Sequence, residues 1–204
     1  MGNLNETPSA NRLHIGIYGK TNSGKSSLIN AVTKQEVSIV ADVAGTTTDP
    51  VYKPMEIHPL GPCVIIDTAG FDDDSELGER RVEKTHLAAE KTDIAVVVLD
   101  IAEVIAAKKA GIPFKKAFKD EAEWSLLFAK KHTPVVFALN KIDEILLSAE
   151  AQEKSSGKLD NAAIEAAKCW VFEENSAVMG KNADNSFEVV AVSALKGKGM
   201  DAVI

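Results

Sequence analysis

Gly19-Lys20-Thr21-Asn22-Ser23-Gly24-Lys25-Ser26 is the stretch on which the fold turns. An apolar run, Leu13 to Tyr18, precedes it, and a helix-forming segment, Lys25 to Thr33, follows. Strand, glycine-rich loop and helix in that order form the context in which this spacing becomes a phosphate cradle. Gly19 and Gly24 permit backbone angles and a close approach that a side chain would block. The loop N–H groups and the helix N-terminus then converge on phosphate oxygens. The residues expected to contact the nucleotide are Asn22, Ser23, Gly24, Lys25, Ser26 and Ser27. Lys25 is expected between the β- and γ-phosphates, as a catalytic cation, with the Ser26 hydroxyl on the Mg2+ that they share.

Outward from the loop, apolar runs alternate with helical stretches. Strands are predicted over Leu13–Tyr18, Val51–His58, Cys63–Asp67, Ile94–Asp100, Pro134–Asn140 and Phe187–Val192, and helices over Lys25–Thr33, Gly78–Lys91, Asp120–His132 and part of Asn161–Glu174. Continuous β-branched runs such as Val96-Val97-Val98-Leu99 suit strands covered on both faces. Alternation with helices implies an α/β fold, a doubly wound, mostly parallel six-stranded sheet of the phosphate-loop NTPase type. Ligands of such sheets sit at the carboxyl ends of the strands. Trp124, Leu127 and Phe128 share a helical face and read as packing against the sheet. Ile101–Asp120 and Glu144–Ser186 read as long connections and candidate partner surfaces, with loops at Ser155-Ser156-Gly157 and from Gly180 to Ser186.

With 204 residues, one nucleotide-binding domain over residues 12–204 is expected, after a polar tail over residues 1–11 and with its last helix, from Met200, cut short. A net charge of −7 gives no global attraction to nucleic acid or anionic membrane, so neither is an expected partner. Cys63 and Cys169 form no Cys-x-x-Cys pair, and the four histidines are scattered, so no iron–sulfur or zinc site is expected. The polar start lacks a signal-peptide core, and Ile94–Leu99 is too short to span a bilayer. A cytoplasmic protein is the expectation.

Companion motifs sharpen the ligand. Asp67-Thr68-Ala69-Gly70 closes the third predicted strand: Asp67 is expected to reach Mg2+ and the Gly70 N–H the γ-phosphate. Asn140-Lys141-Ile142-Asp143 ends the fifth, where the Asp143 carboxylate accepts from guanine N1–H and the exocyclic amine. Adenine lacks both donors and would leave a buried carboxylate unpaired. Asn140 and the stem of Lys141 are expected to support base and loop. Ser193-Ala194-Leu195 follows the last strand and would offer a backbone N–H to the guanine carbonyl oxygen. The set points to GTP and GDP rather than ATP.

Between loop and third strand lies Gly45-Thr46-Thr47-Thr48-Asp49-Pro50. It resembles the first switch of the GTPases related to tRNA-modification and ribosome-assembly proteins, with Thr48 in place of their usual arginine. With Met55-Glu56, Pro59-Leu60-Gly61-Pro62 and Leu77 to Thr85, it is more similar to the FeFe-hydrogenase maturation GTPase, the HydF family. That resemblance covers Arg12 to Asp100, with Asn140–Asp143 and Ser193–Leu195 added.

The resemblance implies that Thr47 binds Mg2+ and senses the γ-phosphate, a catalytic role shared with Lys25 and Gly70. It implies K+ at Asn22, the alternative being a residue that only stabilises the turn. It also implies slow hydrolysis, because Phe71 stands where Ras-like proteins carry the water-orienting glutamine. The expected function is a GTP-hydrolysing switch domain of a hydrogenase cofactor-assembly scaffold. Its expected partners are hydrogenase maturation proteins or the rest of a longer chain, with a homodimer left open. The alternatives are an RNA-linked GTPase of ribosome assembly or tRNA modification, and a non-hydrolysing GTP-gated binding module.

Overall fold

The computed structural model describes residues 12–33, 51–58, 60–68, 86–150, 157–179 and 187–203. Thr47, Gly70, Phe71, both switch segments and the N-terminal tail fall outside them. Six strands form one sheet: β1 (Leu13–Tyr18), β2 (Val51–Ile57), β3 (Gly61–Asp67), β4 (Ile94–Asp100), β5 (Val135–Asn140) and β6 (Phe187–Ala191). Their spatial order is β2-β3-β1-β4-β5-β6. All neighbours are parallel except β2 and β3, which run antiparallel from Val51 opposite Asp67 to Ile57 opposite Gly61.

Strand alternation divides the core in two. Val97 and Leu99 of β4, with Tyr18, Phe137 and Leu139, point to one face. Val96 and Val98, with Ile15, Ile17 and Ala138, point to the other. Each face therefore needs an apolar cover, which explains the unbroken apolar sequence of β4. α1 (Lys25–Thr33) covers the second face through Leu28, Ile29 and Val32. Residues 86–90 are helical and are labelled α2. On the first face lie α3 (Ile101–Lys109), α4 (Phe114–Ala117), α5 (Lys119–Lys131) and α7 (Gly157–Met179), while α6 (Ile142–Glu150) follows β5 directly.

Three sequence expectations need correction. Ile101–Asp120 is not a bare connection: Ile101, Val104, Phe114 and Phe118 are buried in the first core. Asp100 starts α3 by accepting from the Ala102 N–H at 2.8 Å, an N-cap at the end of a strand. Likewise much of Glu144–Ser186 is helix, with Gly157 opening α7 and Ile164, Ala167 and Val171 packed inward. The helix expected from Met200 is a single 3-10 turn, Met200–Ala202. The Trp124 face behaves as expected, with Phe128 fully buried and Trp124 and Leu127 packed against the same core. Among the described residues no helix is long and apolar enough to cross a membrane.

Candidate functional site

The carboxyl ends of β1, β3, β4, β5 and β6 share one edge of the sheet, and the sequence motifs gather there. The phosphate loop leaves β1 through Gly19, whose φ is +143°; a Cβ there would meet the Val98 carbonyl oxygen at 2.4 Å. It reaches α1 through Gly24, whose φ is +95°; a Cβ there would meet Asn140 Nδ2 at 2.1 Å. Both glycines are therefore required by space as well as by angle. Asn22 takes a left-handed φ of 65° between them. Lys25 is buried, and its ammonium donates to the Gly19 carbonyl at 2.5 Å and to the Lys20 carbonyl at 2.8 Å. The loop is thus wrapped around its own cation, with the charge held at the centre of the cradle. Ser26 and Ser27 are exposed at the start of α1, and Ser23 is buried.

Asn140 ties three motifs together. Its amide nitrogen donates to the Ser23 carbonyl at 3.1 Å, and its amide oxygen accepts from the Ala194 N–H at 3.1 Å. One side chain at the tip of β5 therefore links the phosphate loop to the loop after β6. Asp143, in the first turn of α6, accepts from the Ser193 hydroxyl at 2.5 Å, and that hydroxyl accepts from the Lys196 N–H at 3.1 Å. Ser193 is fully buried, so the Asp143 carboxylate is held by a fixed donor. The Ser193 N–H donates to the Lys198 carbonyl at 2.9 Å. Lys141 adopts φ +69° and sends its ammonium to Asp100 at 2.7 Å. That hydrogen bond, outweighing desolvation, raises the Lys141 pKa and keeps it cationic.

On the other flank, Asp67 ends β3 and accepts from Lys53 Nζ at 3.0 Å. The Thr68 hydroxyl donates to the Ile17 carbonyl, locking the end of β3 against β1. The hydroxyl of Ser26 and the carboxylate of Asp67 are hard oxygen donors, a set that suits Mg2+. Lys53 and Asp100 were missed as site residues by sequence reasoning, as was the hydrogen bond of the Ser193 hydroxyl to Asp143. For Asp100 a signal existed, an aspartate between strand and helix. Lys53 sits inside a strand pattern and gives none.

The model of the 50S ribosome-binding GTPase family matches residues 14–141. GTPase Der of Mycoplasmopsis pulmonis is 54% identical over 65 residues, 32% of this chain and 15% of that protein. The tRNA modification GTPase MnmE of Laribacter hongkongensis is 35% identical over 132 residues, 64% of this chain and 26% of that protein. The chain thus spans a minor part of the curated relatives it matches. Among solved structures, a GTP-binding protein of Sulfolobus solfataricus in complex with GDP superposes with a TM-score of 0.56 at 20% identity, over 94% of this chain and 50% of the other. An Era variant of Aquifex aeolicus bound to GDP and aluminium fluoride gives 0.56 at 24% identity, over 93% and 54%. At these identities the likeness is one of fold.

Proposed function

The chain belongs to the 50S ribosome-binding GTPase family, and from that premise we propose that it is a GTP-hydrolysing switch domain. The observation that carries this reading is the double hydrogen bond of Asn140, which makes one rim of the phosphate loop, the base-reading turn and the loop after β6. In this reading Asp143, aligned by Ser193, accepts from guanine N1–H and the exocyclic amine. Ala194 has its N–H engaged by Asn140 and Ser193 by Lys198, so the Leu195 N–H meets the guanine carbonyl. Lys25 turns from its loop carbonyls toward the β–γ bridge, where it stabilises charge that builds as water attacks the γ-phosphorus. The β–γ anhydride breaks, leaving GDP and phosphate. Ser26, Asp67 and Thr47 would hold Mg2+, which when bound neutralises charge on the β- and γ-oxygens. The Gly70 N–H would sense the γ-phosphate, and the Asn22 side-chain carbonyl would hold K+. The test is steady-state hydrolysis of GTP and ATP in matched KCl and NaCl buffers. Turnover of GTP alone, lost in Na+, supports the site and Asn22 as a cation ligand. Tight GTP binding without turnover in either salt favours the gated binding module.

For the larger setting, the family description and the name of the MnmE relative support an RNA-linked GTPase better than hydrogenase maturation. Hydrogenase maturation remains as a second reading because Thr46-Thr47-Thr48-Asp49 departs from the arginine pattern of the wider group and the net charge is −7. Retention on 50S particles with a GTP analogue at physiological salt separates the two. Retention upholds the first reading; its absence, with capture by hydrogenase maturation proteins, upholds the second.

A further inference from the structure

Lys20, the second residue of the phosphate loop, is fastened to the segment that joins α4 and α5. Its backbone N–H donates to Glu121 Oε1 at 3.2 Å, across 101 residues of sequence. Its ammonium donates to the Ala117 carbonyl at 3.1 Å and lies 4.9 Å from the centre of the Phe118 ring. Glu103 faces the same ammonium at 3.8 Å. Glu121 is 1% exposed, in the first turn of α5, and its second oxygen, Oε2, has no partner. It lines a small cavity of about 50 Å3 together with Thr21, Asn22, Ser23 and Lys141. The Ser23 hydroxyl, also buried and lining this cavity, has no partner either.

A carboxyl group in this place is costly. Burial raises its pKa, against the opposing pull of its own backbone N–H and of Lys20, while Asp120 pushes the same way as burial. An apolar side chain of equal volume would fill the space without that cost. Helix α5 does not account for the acid, because the oxygen Oε1 is turned to the loop and not only to the helix end. A part-buried backbone N–H needs an acceptor, however, and without Glu121 the Lys20 amide would turn to find one. The loop leaves β1 at Gly19, pressed against the Val98 carbonyl. The next peptide is then the first point at which the loop can swing.

We propose that Glu121 is a positioning residue for the phosphate loop, drawing the Lys20 N–H toward α5 so that the amides from Asn22 onward stay turned to the nucleotide. This rests on the GTP-binding reading of the site. The cavity beside it is large enough to admit a water that would bridge the unpartnered Glu121 and Ser23 oxygens.

Fluorescent GDP affinity and thermal midpoint are measured for the wild type, Glu121→Met and Glu121→Gln. The Met variant is expected to melt at or above the wild-type temperature yet to bind GDP roughly tenfold or more weakly, a loss of about 1.4 kcal/mol or more. The Gln variant keeps an acceptor for the Lys20 N–H and is expected within about threefold of the wild type. Wild-type affinity in the Met variant would overturn the proposal, since the side chain would then only fill space. A Gln variant as weak as Met would overturn it too. Should Met fail to fold, Glu121→Leu takes its place with the same two outcomes. A wild type that binds no GDP would refute the functional reading instead.

Discussion

The two flanks of the nucleotide site are held in different ways. On the base side, Asn140 and Ser193 are 2% and 0% exposed and are fixed by hydrogen bonds that run from one loop to the next. On the metal side, Asp67 is held by Lys53, whose side chain is 43% exposed. A buried hydrogen-bond network is rigid and fails as a unit, because each member left unpaired bears a desolvation cost. A half-exposed ion pair is weak, screened by salt and easily exchanged for another cation. In the proposed site the base side is therefore ordered before a ligand arrives, whereas the metal side is left ready to change partners.

The strongest way to break the base side is Gly24→Ala. The added methyl meets Asn140 Nδ2, and the residue is held at a φ that alanine resists. Strain and the loss of both Asn140 hydrogen bonds should cost about 3 kcal/mol or more. GDP binding should vanish in a fluorescence titration, with a lower melting temperature. Binding within tenfold of the wild type would show that Asn140 is not a fixed strut. Asp143→Asn is the next largest. GTP affinity should fall roughly 100-fold while xanthine nucleotides gain, because the amide donates to the carbonyl that replaces the guanine amine. Retained preference for GTP in competition titrations would remove Asp143 as the base reader.

This contrast follows how each side could be read from the chain. The phosphate loop and Asn140–Asp143 are short segments at strand ends, so local spacing exposes them, and the strand bounds of β1 and β4 are those expected from their apolar runs. Partners from distant segments leave no such mark. Glu121 and Lys20 are 101 residues apart, and the Lys53 to Asp67 contact runs diagonally across an antiparallel pair. Helix α3 was obscured for another reason. Its sequence, Ile-Ala-Glu-Val-Ile-Ala-Ala-Lys-Lys, follows β4 without a break, so the change of period at Asp100 is easily lost. In α7 the residues Gly157 to Asn161 are polar apart from Leu159, and the helix declares itself only where Ile164, Ala167 and Val171 recur.

The smallest effect is the one that tests the metal side. Lys53→Met removes an ammonium 3.0 Å from the carboxylate expected to meet Mg2+. Two consequences oppose each other. The carboxylate loses a donor that orients it, and the incoming cation loses a like charge beside its site. With Lys53 nearly half exposed, orientation contributes little, because water replaces the lost donor. Repulsion is the term that survives, reduced by solvent to a few tenths of a kcal/mol or about one. The variant should therefore need roughly two- to fivefold less Mg2+ for half-maximal GDP retention, with unchanged affinity in EDTA. Added salt should shrink the difference. A Mg2+ requirement that rises instead would mean that Lys53 aligns Asp67 as firmly as Ser193 aligns Asp143, and the two flanks would then be built alike.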